Sequence, residues 1–274
     1  MSQDGPIEPP ARRQSSRPCW RDPCTVLITG ATGGIGAALA RSYAQQGRTL
    51  ILHGRDQARL KSVSRECEIR GAQVHGVVFD WRDAAAGIAT LRSLSSQHAI
   101  DLTIVNAGVS HAIGDGMDAE SWETMRELLA VNLDGAIATV AGVLPEMRRR
   151  GSGQIAIVSS LAAYFGLPVT PTYCASKAAL KAYGEAMRGW LAPDGIAVNV
   201  VMPGFVRTPM SDCFPRAKPW QMSPERAATL IRRGLERNRA RIAFPRRLAW
   251  SMWGLSVLPA PLSQGLVRAC GYGR

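Results

Sequence analysis

At 274 residues the chain is long enough for one α/β domain or two small ones, and with 46% hydrophobic side chains it can build a buried core. Its formal charge of +12 is concentrated at one end: residues 213–274 hold eleven arginines, one lysine and two glutamates, a net +10. No zinc-ligand spacing, aromatic RNA platform or DNA-reading motif accompanies that charge, which places nucleic acid behind an anionic membrane face as its partner. The six cysteines form no C-x-x-C pair or framework, and residues 1–23 lack an apolar signal core. Free thiols in a reducing, cytoplasmic setting are therefore expected.

Residues 1–22 are rich in Pro, Arg, Ser and Gln without an apolar period, and read as a disordered leader. A buried strand follows in CTVLITG, then a glycine turn, then a helix marked by Ile35, Leu39 and Tyr43 and closed by Gly47. TLILHGR reads as a second strand, residues 57–70 as a helix, 73–79 as a third strand, 84–97 as a helix and 101–105 as a fourth strand. A long helix is expected over residues 121–150, broken or bent near Pro145. QIAIVSS is a fifth strand, 171–191 a helix, GIAVNVV a sixth strand and 241–245 a short seventh. Strands alternating with helices imply a Rossmann-type, doubly wound parallel sheet of about seven strands with helices on both faces. No linker interrupts it, so a single domain is expected over 23–245, followed by a basic and apolar extension over 246–274.

Two stretches carry chemistry. Thr29-Gly30-Ala31-Thr32-Gly33-Gly34-Ile35-Gly36 lies where a phosphate-binding turn belongs, between strand and helix. Gly30 allows a sharp turn, while Gly34 and Gly36 allow close approach of backbone to a pyrophosphate and of helix to sheet. Tyr173 and Lys177, four residues apart, share one face of a helix. A free phenol, with a pKa of about 10, is a poor acid or base at neutral pH; an adjacent ammonium favours the phenolate. Cys174 is turned away from that face and is expected to pack.

The spacing T-G-x-x-x-G-x-G resembles the short-chain dehydrogenase/reductase family, and four later segments do too. Asn106-Ala107-Gly108 is similar to the family's N-A-G segment, and Asn132 falls where it keeps a relay asparagine. Ser160 precedes Tyr173 by the family's thirteen residues, and Pro203-Gly204-Phe205-Val206-Arg207-Thr208-Pro209-Met210 resembles its P-G-x-x-x-T-x-M segment. The resemblance spans residues 24–210 and implies hydride transfer between a nicotinamide cofactor and an alcohol or ketone. It implies Tyr173 as acid or base, Lys177 tuning it and binding the ribose, Ser160 holding the substrate oxygen and Asn132 ordering a water.

For the cofactor, the resemblance implies contacts from Gly30, Thr32, Gly33, Gly34, Ile35 and Gly36, from Asp80 at the adenine, and from Asn106, Ala107 and Gly108. Tyr173, Lys177, Pro203, Gly204, Val206 and Thr208 complete that set. Where an acidic residue would read the 2′-hydroxyl of NAD, this chain has Gly54-Arg55, so NADP(H) is favoured over NAD(H). Asp56 either pairs with Arg55 or caps the next helix. The histidines, His53, His75, His98 and His111, show no metal spacing, and no metal is expected; His111 is a candidate for the substrate pocket. A nucleotide-sensing or scaffolding protein on the same fold is the alternative function, which loss of any of the four catalytic positions would have favoured.

The tail departs from the family. Residues 248–258 are almost wholly apolar with two tryptophans, and Arg246 and Arg247 precede them. The stretch is shorter than the roughly 20 residues a spanning helix needs. It reads either as a lid or subunit contact, with a homo-oligomer expected, or as a segment, 246–262, lying in a membrane interface. Both settings favour a lipophilic alcohol or ketone.

Overall fold

A computed structural model of the protein describes residues 21–112, 120–212, 214 and 216–272. Most of the expected leader therefore lies outside the described residues; of its last two, Asp22 is ion-paired with the buried Arg48. The chain alternates as expected: β1 (Thr25–Ile28), α1 (Gly34–Tyr43), β2 (Thr49–His53), α2 (Gln57–Ile69), β3 (Gln73–Val77), α3 (Ala84–Gln97) and β4 (Leu102–Val105). Then come α4 (Trp122–Leu129), α5 (Gly135–Arg150), β5 (Gly153–Val158), α6 (Pro171–Leu191), β6 (Ile196–Pro203) and the short α7 (Pro209–Asp212). The chain closes with α8 (Pro224–Glu236), β7 (Arg241–Phe244), α9 (Arg246–Val257) and α10 (Ala260–Ala269).

The seven strands pair in parallel in the order β3-β2-β1-β4-β5-β6-β7. Both faces are covered, so the central strands are apolar throughout rather than alternating. Successive side chains still point to opposite faces. Val26 and Ile28 pack with Leu39, Tyr43, Leu60 and Ile231 of α1, α2 and α8. Leu27 packs the other way, with Leu91, Val140, Leu180 and Leu191 of α3, α5 and α6. The strand order reverses at β1 and β4, and the loops leaving their carboxyl ends open a crevice there.

Two expectations are corrected. The third strand stops at Val77, before Phe79, whose carbonyl bonds to a side chain of β2 instead. The long helix is not broken at Pro145 but is interrupted earlier, by a π turn at Ala130–Asp134 centred on Asn132. There the fully buried Asn132 amide reaches out of the helix: its Oδ1 accepts from Val109 N at 2.7 Å and its Nδ2 donates to Val109 O at 2.9 Å. A π turn of this kind commonly marks a functional position. The helix over Trp122–Arg150 is long and apolar enough to cross a membrane, but 56% of that window is buried in this fold, against α3 and the sheet.

Beneath β5 and β6 lies a buried polar network that sets the path into β7. Gln154 Nε2 donates to Asn199 Oδ1 at 2.9 Å, and Asn199 Nδ2 donates to Arg239 O at 2.7 Å and Asn238 Oδ1 at 3.1 Å. Asn238 sits at φ +46°, a left-handed conformation that asparagine tolerates better than most residues. Asn199→Leu leaves Arg239 O without its donor, while Gln154 Nε2 keeps Leu235 O and Asn238 Oδ1 keeps Arg188, so the cost is about 1–3 kcal/mol for the orphaned carbonyl. The variant is expected to show a clear drop in the urea unfolding midpoint; an unchanged midpoint would mean that the network does not hold β7 in place.

Candidate active site

The cleft is built around Gly30, which turns the chain out of β1 at φ +65°. A side chain there would also collide with the backbone of Ala107, its Cβ lying 2.8 Å from Ala107 Cα. At Gly36 the constraint is tighter, since a Cβ would lie 2.2 Å from the Gly30 carbonyl oxygen and 2.8 Å from Asn106 Nδ2. Gly36 is therefore needed so that α1 can start directly against the turn. Gly34 faces the later loop: a Cβ there would lie 2.4 Å from Thr208 Cγ2. Helix α1 follows Gly33, its N-cap, with no side-chain cap and no acidic residue in its first turn. Its leading N–H groups and the positive end of its dipole are thus available to an anion, and a pyrophosphate fits this cradle.

Three side chains clamp the turn. The Thr29 hydroxyl accepts from Asn106 N at 3.0 Å and Ala107 N at 3.1 Å, and Asn106 Nδ2 donates to the carbonyls of Thr29 and Gly30, both at 3.1 Å. His53 closes the other side, its Nδ1 accepting from Gly30 N at 3.4 Å while Nε2 lies 3.1 Å from Phe79 O. Burial pushes the His53 imidazole down to about 4, so the neutral ring accepts on one nitrogen and donates on the other. Thr29 and His53 were not anticipated as site residues. Nothing local in a strand-terminal threonine or histidine distinguishes such clamps from ordinary core residues.

At the end of β2, Thr32 packs on Gly54: a Cβ at Gly54 would lie 2.6 Å from Thr32 Cγ2. The half-exposed Arg55 lines the cleft there, with its Nη1 4.0 Å from Asp80 Oδ2. Arg41, ion-paired with Glu66 at 2.6 Å, and Arg59, ion-paired with Asp56 at 3.2 Å, also line the cleft. Arg59 lies in the first turn of α2, four residues after Arg55. Of the two readings of Asp56, the cap is the one seen: its Oδ1 accepts from Arg59 N at 3.0 Å. Asp80, expected at the adenine, does not line the cleft; the Arg82 side chain and backbone both bond to its carboxylate and hold it below the usual range.

Asn106, Ala107, Gly108, Ser160, Tyr173, Lys177, Pro203, Gly204, Val206 and Thr208 line the same cleft as the glycine turn. Asn132 stands just behind them, its Nδ2 also donating to Ser176 Oγ at 3.2 Å. A Cβ on Gly108 would lie 3.1 Å from Asn132 Oδ1 and 3.5 Å from Lys177 Nζ, so this glycine keeps the approach between the two open. Lys177 is buried; its Nζ donates to Val158 O at 3.1 Å and lies 5.7 Å from the Tyr173 ring centroid. Burial pushes Lys177 down to about 8 and the Tyr173 phenol up to about 12, with the hydrogen bond to Ser160 working against the latter shift. Here the structure departs from the simple expectation of a lysine drawing the phenol down. The ammonium is engaged by a main-chain carbonyl, and desolvation dominates.

The far end of the cleft is apolar and is walled by the C-terminal helices. Leu248, Met252 and Leu255 of α9 face Leu161 and Leu167, and Val267 of α10 also lines the cavity. The cavity measures about 1510 Å³ in all, room for a dinucleotide and a sizeable partner. His111 is exposed and outside this lining; its carbonyl accepts from Thr170 Oγ1 at 3.1 Å. Cys174 is buried, its Sγ accepting from Leu167 N at 3.3 Å, which is a packing role.

A family model described as short chain dehydrogenase matches residues 24–218, the region that carries the sheet and this cleft. The chain belongs to the short-chain dehydrogenase/reductase family. It is an NAD(P)-dependent oxidoreductase with the Rossmann-type fold of that family. An uncharacterized oxidoreductase of Myxococcus xanthus is 34% identical over 247 residues, 89% of this chain and 96% of that protein. Among solved structures, a short-chain dehydrogenase from Sphingobium yanoikuyae in complex with NADPH superposes with a TM-score of 0.75 at 27% identity, over 89% of this chain and 95% of the other. A short-chain dehydrogenase from Mycobacterium paratuberculosis bound to NAD gives a TM-score of 0.69 at 25% identity, over 80% and 94% of the two chains.

The clamp on Gly30 has a consequence in acid. The His53 pKa is lowered from 6.5 in the unfolded chain to about 4 in the fold, so between those values the unfolded chain binds a proton that the fold does not. His53 therefore contributes its stability in full above about 6.5 and loses it as pH falls toward 4, a change of about 3 kcal/mol. Unfolding free energies measured across that window are expected to fall, and to fall less in His53→Gln. Parallel profiles for the two proteins would refute the assignment.

Proposed function

We propose that this protein transfers hydride between NADP(H) and a lipophilic alcohol or ketone, with Tyr173 managing the proton. The reading is carried by one convergence: Ser160, Tyr173 and Lys177, with Asn132 behind them, meet between an uncapped helix start and an apolar wall. In this reading Gly33 to Gly36 and the first turn of α1 hold the pyrophosphate, and Arg55 takes the 2′-phosphate. The bound nicotinamide supplies the hydride in reduction and accepts it in oxidation.

The residues of the chain do the rest. In reduction the carbonyl oxygen gains charge as its carbon becomes tetrahedral, and the Tyr173 hydroxyl gives it a proton. A phenol that burial keeps protonated is suited to that direction. Ser160 Oγ, which already accepts from Ala162 N at 3.1 Å, turns its own proton toward the same oxygen and fixes the carbonyl beside Tyr173. Lys177, held by Val158, places a positive charge near the phenolate left behind, which favours the charged form and so eases the proton's departure. The Asn132 side chain is occupied by Val109 and Ser176, so it acts on the site by positioning the loop after β4; any ordered water would have to use its main chain. Oxidation is the reverse, with Tyr173 as base.

Tyr173→Phe is expected to lower turnover of a ketone panel by about 10²–10⁴-fold while NADPH binding, read by cofactor fluorescence, is kept. Turnover retained in that variant would sink the mechanism. Arg55→Ala is expected to cost NADPH about tenfold or more in affinity, since a charge-assisted hydrogen bond contributes about 1.5–3 kcal/mol, and to leave NADH unchanged. Equal effects on both cofactors would remove the 2′-phosphate assignment.

A further inference from the structure

Helix α9 is apolar on two opposite faces. At about 100° per residue, Leu248, Met252 and Leu255 form one stripe and Trp250, Trp253 and Val257 another, on the far side of the helix. The first stripe is spent on the cleft and the sheet. The second faces outward, with Trp250 64%, Trp253 46% and Val257 62% exposed, and its two indoles meet edge to face at 5.7 Å. Helix α10 repeats the pattern: Ser263 and Val267 are buried while Leu262 and Leu266 are 59% and 50% exposed. A helix on the surface of a globular domain ordinarily shows polar residues outward. Two adjacent helices that do not are an uncovered apolar face.

Charge identifies what covers it. Residues 237–274 contain seven arginines and neither aspartate nor glutamate. Arg246 and Arg247, at the start of α9, and Arg268, near the end of α10, are all exposed. Exposed tryptophans and leucines flanked by guanidinium groups match the boundary between hydrocarbon and anionic headgroups. At 12 and 10 residues neither helix can span, so the pair would lie flat. The face is also continuous with the cleft, because Leu258 and Leu266 are exposed and line the cavity at once.

We propose that the outer face of α9 and α10 docks on an anionic phospholipid surface, with the mouth of the cleft at the headgroup boundary. The docking stands independently of the reaction. Only its consequence, that a lipophilic substrate enters from the bilayer through the gap at Leu258 and Leu266, rests on the reaction proposed above.

The test is flotation of the full chain with vesicles of phosphatidylglycerol and phosphatidylcholine, and with phosphatidylcholine alone. Binding is expected to the anionic vesicles, to weaken with salt, and to shift tryptophan emission to the blue. Trp250→Ser/Trp253→Ser is expected to abolish it, and Arg246→Glu/Arg247→Glu to weaken it by about tenfold or more. Both variants are expected to keep NADPH binding and turnover of a water-soluble ketone. Failure to float, or flotation indifferent to both variants, would overturn the proposal. So would a doubled mass in solution that the tryptophan variant halves, since a second copy would then cover the face. Loss of ketone turnover in the unmodified chain with flotation intact would instead refute the reaction.

Discussion

The structure depends on one close approach: α1 begins so near the end of β1 that only a hydrogen fits between Gly36 and the carbonyl of Gly30. That contact places an uncapped helix start at the point where the strand order reverses, and so creates an anion site inside a crevice already opened by topology. The clamps around it, Thr29, His53 and Asn106, come from three different strand ends. They are enclosed polar groups bonded to the backbone of the turn and of the neighbouring loops, which makes the turn rigid and makes each of them costly to remove.

Rigidity at the glycine turn is matched by desolvation at the reacting end. Lys177 sits between the Val158 carbonyl and the Tyr173 ring, Asn132 is fully enclosed, and the π turn lets the Asn132 amide bind the loop after β4. Burial moves the tyrosine and the lysine in opposite directions, toward a neutral pair. Catalytic groups held this way owe their pKa values to the environment as much as to each other. A charge arriving in the cleft would then be felt strongly, because little water screens it.

The C-terminal helices join this chemistry to the surface. Their inner stripes complete the cleft wall and their outer stripes leave a basic, tryptophan-bearing face, so a role over the cleft and the proposed membrane contact are compatible, whereas a subunit contact would compete for the outer face. The same twelve-residue helix serves as wall on one side and as the proposed contact on the other.

Much of this is legible in the amino-acid sequence, for a physical reason. The β1–α1 unit, the parallel alternation and the pairing of Tyr173 with Lys177 on one helix face follow from short-range periodicity and spacing, which the chain carries locally. No break occurs at Pro145, where packing outweighs proline's local penalty, while the interruption at Asn132 answers to a partner 23 residues away. The roles of His53 and Thr29 and the engagement of Asp80 by Arg82 were equally out of reach, since each is decided by which groups the folded chain brings within 3–4 Å. The sequence by itself determined the family, the sheet and the identity of the reactive side chains. Only the tertiary structure decided how deeply Tyr173 and Lys177 are desolvated and which stripe of α9 faces the cleft, because burial and facing are properties of packed surfaces, not of residue order.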